Sequence, residues 1–321
     1  PGMKILSVIV PCYNEEAVIL KTHQRLSATL SKLIQFQLEI IYVNDGSYDN
    51  TLTYLQKIAA ENKAVKILSF SRNFGHQPAI SAGLAHCSGN IAIIIDADLQ
   101  DPPELIPEMI QMWEKDFQVV YAKRRTRKEK GWFKLLLVKF FYRFINVLSD
   151  IDIPVNTGDF RLVDRRVIDI LNIMPEKYRY VRGMVSWAGF KQCEILYDRD
   201  SRFAGDSKYP MKRLLKLAAD GIFSFSLVPL RVASWIGAST ALLSVIGIIY
   251  AFLNRILTKN WVPGWTLLFI AVMFLGGVTL LVLGIIGEYI GRIYGEVKQR
   301  PLYLIESKTG FDSTQEIRSH A

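Results

Sequence analysis

The sequence predicts an α/β domain with a mostly parallel sheet, followed by a C-terminal two-helix transmembrane hairpin. Apolar runs alternate with amphipathic segments as far as Tyr121, the pattern of a parallel sheet covered by helices. The run Ile91 to Ile95 is four isoleucines and one alanine, and a β-branched stretch this apolar reads as a strand buried on both faces. Toward the C-terminus, Ala233 to Leu253 and Leu267 to Gly287 carry no charge; about 20 apolar residues are enough to span a bilayer core.

Taken in order, Ile5 to Val10 is the first expected strand and Glu15 to Leu33 the first helix. Leu38 to Val43 follows as a strand and Asn50 to Glu61 as a helix. Val65 to Phe70, Ile91 to Ile95 and Phe117 to Tyr121 continue the strands, with helices over Gln77 to Cys87 and Pro103 to Lys115. The first strand runs into PCYNEE rather than G-x-G-x-x-G, so the dinucleotide fingerprint is missing where it would belong, against a dehydrogenase.

Beyond Tyr121 the character changes. KRRTRKEK (Lys123 to Lys130) packs six cations into eight residues and reads as a solvated loop or as a basic site. Gly131 to Leu148 is strongly apolar, with Lys139, Arg143 and Asn146 on one narrow polar stripe. Such a helix lies in a membrane interface or packs beneath the domain. Pro210 to Ser226 repeats the design and leads into the first uncharged run. The expected division is therefore 1–209 for the α/β domain, 210–232 for a juxtamembrane helix, 233–290 for the hairpin and 291–321 for a C-terminal segment. In that last segment PLYLIESKTGF (Pro301 to Phe311) has a short apolar strand, which either pairs with another subunit of a homo-oligomer or is a tail.

The formal charge is +9 and half of the 321 residues are hydrophobic, a combination that favours a membrane surface over nucleic acid as partner. Trp235, Tyr250, Trp261, Trp265, Tyr289 and Tyr294 lie near the ends of the two runs, as interfacial aromatics do. Lys212, Arg213, Lys216 and Arg231 precede the hairpin and Arg292, Lys298 and Arg300 follow it, whereas the connecting loop has only Arg255 and Lys259. By the positive-inside rule both termini are expected in the cytoplasm, on the inner face of the cytoplasmic membrane. Cys12, Cys87 and Cys193 are widely spaced in apolar contexts, as reduced thiols are, and have no zinc spacing. Pro1 and Gly2 read as a remnant ahead of an initiator Met3, with no cleavable signal peptide expected.

Four polar clusters follow expected strands: VIVPCYNEE (Val8 to Glu16), YVNDGSYDN (Tyr42 to Asn50), SFSRNFGHQPA (Ser69 to Ala79) and IDADLQD (Ile95 to Asp101). In a parallel sheet all four meet at the carboxyl edge, where open α/β sheets bind ligands. Asp96 and Asp98 are separated by one small residue, so both carboxylates can converge on a hard cation of the Mg²⁺ or Mn²⁺ type, which shares its shell with substrate phosphates. His76 and His86 read as helix-terminal residues rather than metal ligands.

These residues resemble a known family. VPCYNEE, NDGS, RNFGHQPA, DADLQDPPE, NTGDFRL (Asn156 to Leu162) and RFAGDSKY (Arg202 to Tyr209) together are similar to the motifs of family 2 glycosyltransferases of the polyisoprenyl-phosphate type, the group of dolichyl-phosphate mannose synthases and bactoprenol glucosyltransferases. One departure is visible: Asn44 stands before Asp45, where many relatives have two aspartates. The resemblance implies a GT-A fold that binds a nucleotide sugar. Pro11, Tyr13 and Glu15 would contact the nucleoside, with Asp45 reading the base. Asp96, Asp98 and Gln100 would hold the metal, and Asp96 would also face the donor. The acceptor would be a polyisoprenyl phosphate, undecaprenyl in the closest pattern, met by Arg202, Lys208 and the Ser207 hydroxyl; Arg124 would serve either phosphate. Asp159 would be the catalytic base or an orienting group. A lipid phosphate is already mostly a dianion at neutral pH, which favours orientation.

The resemblance implies inverting transfer of a hexose, with UDP-glucose the preferred donor and GDP-mannose the alternative. A processive polysaccharide synthase shares the early motifs but carries Gln-x-x-Arg-Trp, and RGMVSW (Arg182 to Trp187) lacks that order. A non-catalytic, membrane-anchored nucleotide-sugar-binding protein is the reading from another class; a full set of acidic residues is more than binding requires.

Overall fold

Strands that are apolar on both faces need cover on both sides, and the helices that follow them in this chain supply it. The computed structural model describes residues 2–125, 157–198, 228–258 and 264–311. The elements begin with β1 (Lys4–Cys12), α1 (Ile19–Leu30), β2 (Phe36–Asn44), α2 (Thr51–Glu61), β3 (Val65–Phe70), α3 (His76–His86) and β4 (Ile91–Ile94). A 3-10 turn (Pro103–Leu105), α4 (Ile106–Glu114), β5 (Val119–Arg124), β6 (Thr157–Asp164), α5 (Arg165–Ile173), α6 (Val181–Trp187) and β7 (Gln192–Tyr197) come next. The order closes with α7 (Val228–Thr258), α8 (Trp265–Val297) and β8 (Ile305–Thr309).

The eight strands form one sheet in the order β7-β5-β6-β4-β1-β2-β3-β8. Pairing is parallel for β1 with β2 and β4, β2 with β3, and β5 with β7; it is antiparallel for β6 with β4 and β5, and for β8 with β3. Six strands therefore run one way, with β6 and β8 against them. Leu6, Val8, Val10, Tyr42, Ile93, Phe160 and Leu162 belong to one buried cluster with Leu26 of α1, Leu55 of α2 and Met109 of α4. On the other face α3 packs so closely on β1 that a Cβ at Gly83 would overlap the Ile9 side chain.

Helix α1 begins later than its periodicity predicts, because Glu15 O already accepts from Val18 N and Ile19 N in a turn. Strand β5 is shifted toward Arg124, and β6 inserts between β4 and β5, where no strand was expected. The C-terminal segment is not a tail: β8 pairs with β3 of its own chain, and Ser71 N donates to Leu304 O at 3.1 Å. Residues 300–311 thus belong to the same compact unit as 2–125 and 157–198, while α7 and α8 belong to a second.

Helices α7 and α8 contain stretches long and apolar enough to cross a membrane, Pro229–Gly247 and Ala271–Val297, with mean hydropathies of 1.4 and 2.1. Leu243, Phe252 and Leu280 are each about two-thirds exposed or more, an arrangement that water disfavours and lipid accepts. The amphipathic segments expected at Gly131 to Leu148 and Pro210 to Ser226, together with Arg202, Ser207 and Lys208, lie outside the described residues.

The close packing at Gly83 gives a test. Gly83→Ala should lower stability by about 1–3 kcal/mol through overpacking, read as a fall in the melting midpoint of the full chain in detergent. The double variant with Ile9→Ala should lose less than the two single losses added together.

Candidate active site

Strand polarity brings the polar clusters together. The carboxyl ends of β1 to β5 and β7 share one edge of the sheet, and β6, running the other way, begins there. Ile94, the last residue of β4, faces Arg161 of β6, and just beyond it the His76 ring reaches both Asp159, at 3.0 Å, and Asp96, at 3.5 Å. Asp159, in a motif more than sixty residues away in sequence, thereby joins the acidic loop after β4.

The loops after β1 and β2 are laced together. Asn14, at φ 53°, donates its backbone N–H to Ser47 Oγ at 3.0 Å and accepts from Tyr48 N at 3.1 Å. Glu15 N donates to Thr51 Oγ1 at 2.8 Å, and Asn50 N to Glu16 Oε2 at 3.1 Å. Pro11 is buried, while Tyr13 and Glu15 are partly exposed. The Tyr13 ring meets the exposed Tyr48 ring edge-on, with centroids 6.1 Å apart. Asn44 fits its place as an amide: its Nδ2 donates to Ser69 Oγ at 2.9 Å and its Oδ1 accepts from Ser47 N at 3.3 Å.

Asp45 is buried, and its surroundings give it a holding task rather than an open face toward a base. Its Oδ1 accepts from Phe74 N at 2.7 Å, and its Oδ2 accepts from Gly75 N and Asn73 Nδ2, both at 2.9 Å. Burial pushes its pKa up, against those amides and the His76 and Arg72 charges. Gly46, at φ 62°, makes the approach possible, since a Cβ there would overlap the backbone of Arg72 and Asn73.

After β4 the chain turns at Leu99, φ 60°, and Gln100 N donates to Asp98 Oδ1 at 3.1 Å. Asp101 accepts a short hydrogen bond from the Tyr197 hydroxyl, to which Arg124 Nε also donates at 3.2 Å. Gly158 leaves room for this: a Cβ would sit 3.1 Å from the Arg124 guanidinium. Arg124 is therefore tied to the Tyr197–Asp101 pair at the edge of the site.

Asp159 is buried in a four-point cradle. Arg182 donates from Nε to Oδ1 at 2.8 Å and from Nη2 to Oδ2 at 3.2 Å, and its Nη1 reaches Thr157 O at 2.7 Å. His76 Nε2 lies 3.0 Å from Oδ2, and Gln77 Nε2 donates to the same oxygen at 3.4 Å. Gln77 Oε1 also accepts from Val181 N at 2.8 Å, binding the start of α3 to the start of α6. His76 begins α3, as its helix-terminal reading requires, but its ring also lies between Asp159 and Asp96, 3.5 Å from Asp96 Oδ1. His76, Gln77 and Arg182 were not among the expected site residues. The available signal was the polar HQ pair after RNFG and the arginine in RGMVSW, whose order does not match the synthase motif.

The charges in this cluster depend on one another. Burial opposes protonation of His76, but the Asp159 hydrogen bond and the Asp96 and Asp159 charges push its pKa up to about 9. Burial would raise Asp159, yet the Arg182 charge and then His76 hold it well below the usual carboxylate range. Asp96 is pushed up to about 6, first by burial and then by Asp101, Asp159 and Asp98, with His76 opposing. Its Oδ1 makes no hydrogen bond.

Among the described residues no group of three or more His, Cys, Asp or Glu side chains is placed to hold a metal ion. A half-buried carboxylate beside Asp98, with one oxygen that makes no hydrogen bond, nevertheless fits a divalent cation that takes its remaining oxygens from a substrate. The donor set is hard, which suits Mg²⁺ or Mn²⁺.

Comparison with known proteins places the chain in a family. Residues 7–171 match the family described as glycosyl transferase family 2, and residues 228–293 match the GtrB C-terminal hairpin. The chain is 47% identical over 310 residues to an uncharacterized glycosyltransferase of Bacillus subtilis (strain 168), covering 96% of this chain and 95% of that one. It is 40% identical over 304 residues to the prophage bactoprenol glucosyl transferase homolog of Escherichia coli (strain K12), covering 95% and 99%. It is also 40% identical over 306 residues to the bactoprenol glucosyl transferase of Shigella phage SfX, covering 95% and 100%.

The raised pKa of Asp96 carries a stability signature. Its folded value, about 6, lies above the ordinary carboxylate value, so its stabilising share is present below about pH 4 and lost as pH rises through about 6. Asp96→Asn should therefore raise the metal-free melting midpoint at pH 8, less at pH 6 and not at pH 4, followed by thermal denaturation in matched buffers.

Proposed function

We propose, from the premise that this chain belongs to glycosyl transferase family 2, that it transfers a hexose from a nucleotide sugar to a polyprenyl phosphate at a membrane surface. It is a glycosyltransferase of GT-A fold; the acceptor, the donor and the roles of individual residues are the present reading. The observation that carries it is the cradle around Asp159, which sets a fixed anion and two cations beside the Asp96 carboxylate.

On the donor side, the exposed Tyr48 ring against the partly exposed Tyr13 offers aromatic surface for a base, with Pro11 and Glu15 close in sequence. Asp45 acts through the Asn73–Gly75 turn, which it holds in place. UDP-glucose is the preferred donor, in keeping with the names of the relatives. A Mg²⁺ or Mn²⁺ ion on Asp96 and Asp98, adjoining Gln100, would offset the negative charge that develops on the departing diphosphate.

On the acceptor side, a phosphate monoester with a second pKa of about 6 is mostly ionised at neutral pH and needs little deprotonation. Its oxygen forms the bond to the anomeric carbon while the bond to the nucleoside diphosphate breaks and the electron pair leaves with that group, inverting the centre. Asp159 is a poor base for such a step, because Arg182 and His76 stabilise its ionised form. It serves instead to keep those cations in register at the place where two anions must approach. Arg202, Lys208 and the Ser207 hydroxyl are the proposed contacts to the lipid phosphate, with Arg124 at the border of the two halves. The hairpin of α7 and α8 would hold the chain in the cytoplasmic membrane, with both termini on the cytoplasmic side, where nucleotide sugars are made.

A transfer assay on the full chain in lipid, with a panel of nucleotide sugars and with undecaprenyl and dolichyl phosphate, tests the reading. Charged lipid product is expected with UDP-glucose and undecaprenyl phosphate. Chelation, or Asp96→Ala with Asp98→Ala, should reduce it by about 100-fold or more. Product that persists through both treatments would sink the metal assignment, and no product with any pair would sink the acceptor.

The cradle has its own test. Asp159→Asn and Arg182→Leu should each lower turnover by about 100-fold while the donor KM changes little. Full turnover in Asp159→Asn would remove the carboxylate from the mechanism.

A further inference from the structure

The C-terminal segment is long enough to have a task of its own, and its contacts reach the active-site loop. Strand β8 pairs with β3 in a register that shifts between Ser69 and Phe70, so that Phe70 faces Ile305. Tyr303 then stacks flat on Phe70, with centroids 5.0 Å apart and planes 10° from parallel. Phe70 is buried and meets Phe74 edge-on, centroids 5.7 Å apart. Arg72 covers Phe74 at 3.9 Å.

Phe74 is one residue from the chemistry. Its backbone N–H and that of Gly75 are the ones Asp45 accepts, and His76, next along, reaches Asp159 and Asp96. Gly75, at φ 110°, is the single residue between the aromatic contact and the cradle. On the α6 side of that cradle, Arg179 acts electrostatically on Tyr303, whose pKa burial pushes up. The segment is fastened at its far end as well: Lys66 lies 5.0 Å over the Phe311 ring, which His86 meets at 6.0 Å. A strand added only to cover a sheet edge would not require an aromatic stack leading to the loop that holds His76.

We propose that Tyr303 is a positioning residue for the active site: through the Tyr303–Phe70–Phe74 ladder, the strand that follows the hairpin fixes the loop carrying His76 and Gln77. The effect on turnover rests on the glycosyl-transfer reading above; the effect on the loop does not.

The test uses the full chain in lipid, with five variants and two readouts. Tyr303→Ala should lower turnover about tenfold, leave the donor KM within about twofold, and speed amide hydrogen exchange at 73–77 about tenfold. Tyr303→Phe, which keeps the stack, should restore both readouts to nearly the original values. Phe74→Ala should lower turnover similarly, and the double variant with Tyr303→Ala should be no worse than the poorer single. Glu306→Ala, on the exposed side of β8, should change neither readout.

Unchanged exchange and turnover in Tyr303→Ala would overturn the proposal. So would a turnover loss that merely tracks the loss of folded protein, additive losses in the double variant, or failure of Tyr303→Phe to restore exchange. If the unaltered chain transfers no sugar, the proposed function fails, while the exchange readout still decides whether Tyr303 holds the loop.

Discussion

The salt bridge between Asp159 and Arg182 is the contact on which the rest of this molecule turns. A carboxylate on a strand buried along its whole length, from Thr157 to Asp164, is tolerable only when paired and hydrogen-bonded. Arg182 supplies a forked partner, and His76 and Gln77 fill the remaining positions on the oxygens. With that satisfied, β6 can lie between β4 and β5 and bring its acidic residue to the His76 ring that Asp96 also approaches. Breaking the pair by removing one partner leaves an unmatched charge in the sheet, so architecture and chemistry share one weak point.

Around that contact the two halves of the site are made differently. The side formed by the loops after β1 and β2 is backbone stitched by hydroxyls and carboxylates, with Asn14, Ser47, Thr51 and Asp45 each spent on holding a neighbour. Such a surface is shaped before any ligand arrives. The Asp96 side is the reverse, a carboxylate with one oxygen lacking a hydrogen bond and repelled by three acidic neighbours. One half is pre-formed and the other is under electrostatic load.

Much of this was legible in the sequence. The strands β1 to β4 declared themselves because they are apolar on both faces, and the loops after them because Asn, Asp and Gly cluster there. The two long helices were legible from their lack of charge alone. Strand β6 was not, since Asp159, Arg161 and Asp164 break the apolar pattern of a segment that is buried all the same. Its burial is supported by ion pairs from other parts of the chain, which period and propensity cannot register. Arg182 was hidden for a similar reason: it lies 23 residues from its partner on a short helix of little periodicity. Asp45 was legible as a polar residue of the loop after β2, but that it holds the neighbouring Asn73–Gly75 turn depends on the third dimension.

The place of β8 in the chain has a consequence for biogenesis. Its residues, Ile305–Thr309, come after both long helices, yet they complete the far edge of a sheet whose other strands all precede those helices. On a ribosome, β3 must therefore wait with an unsatisfied row of backbone amides and carbonyls until the hairpin has been synthesised. The sheet reaches its final form only after both long helices have been made, so enzyme maturation is tied to the order of translation.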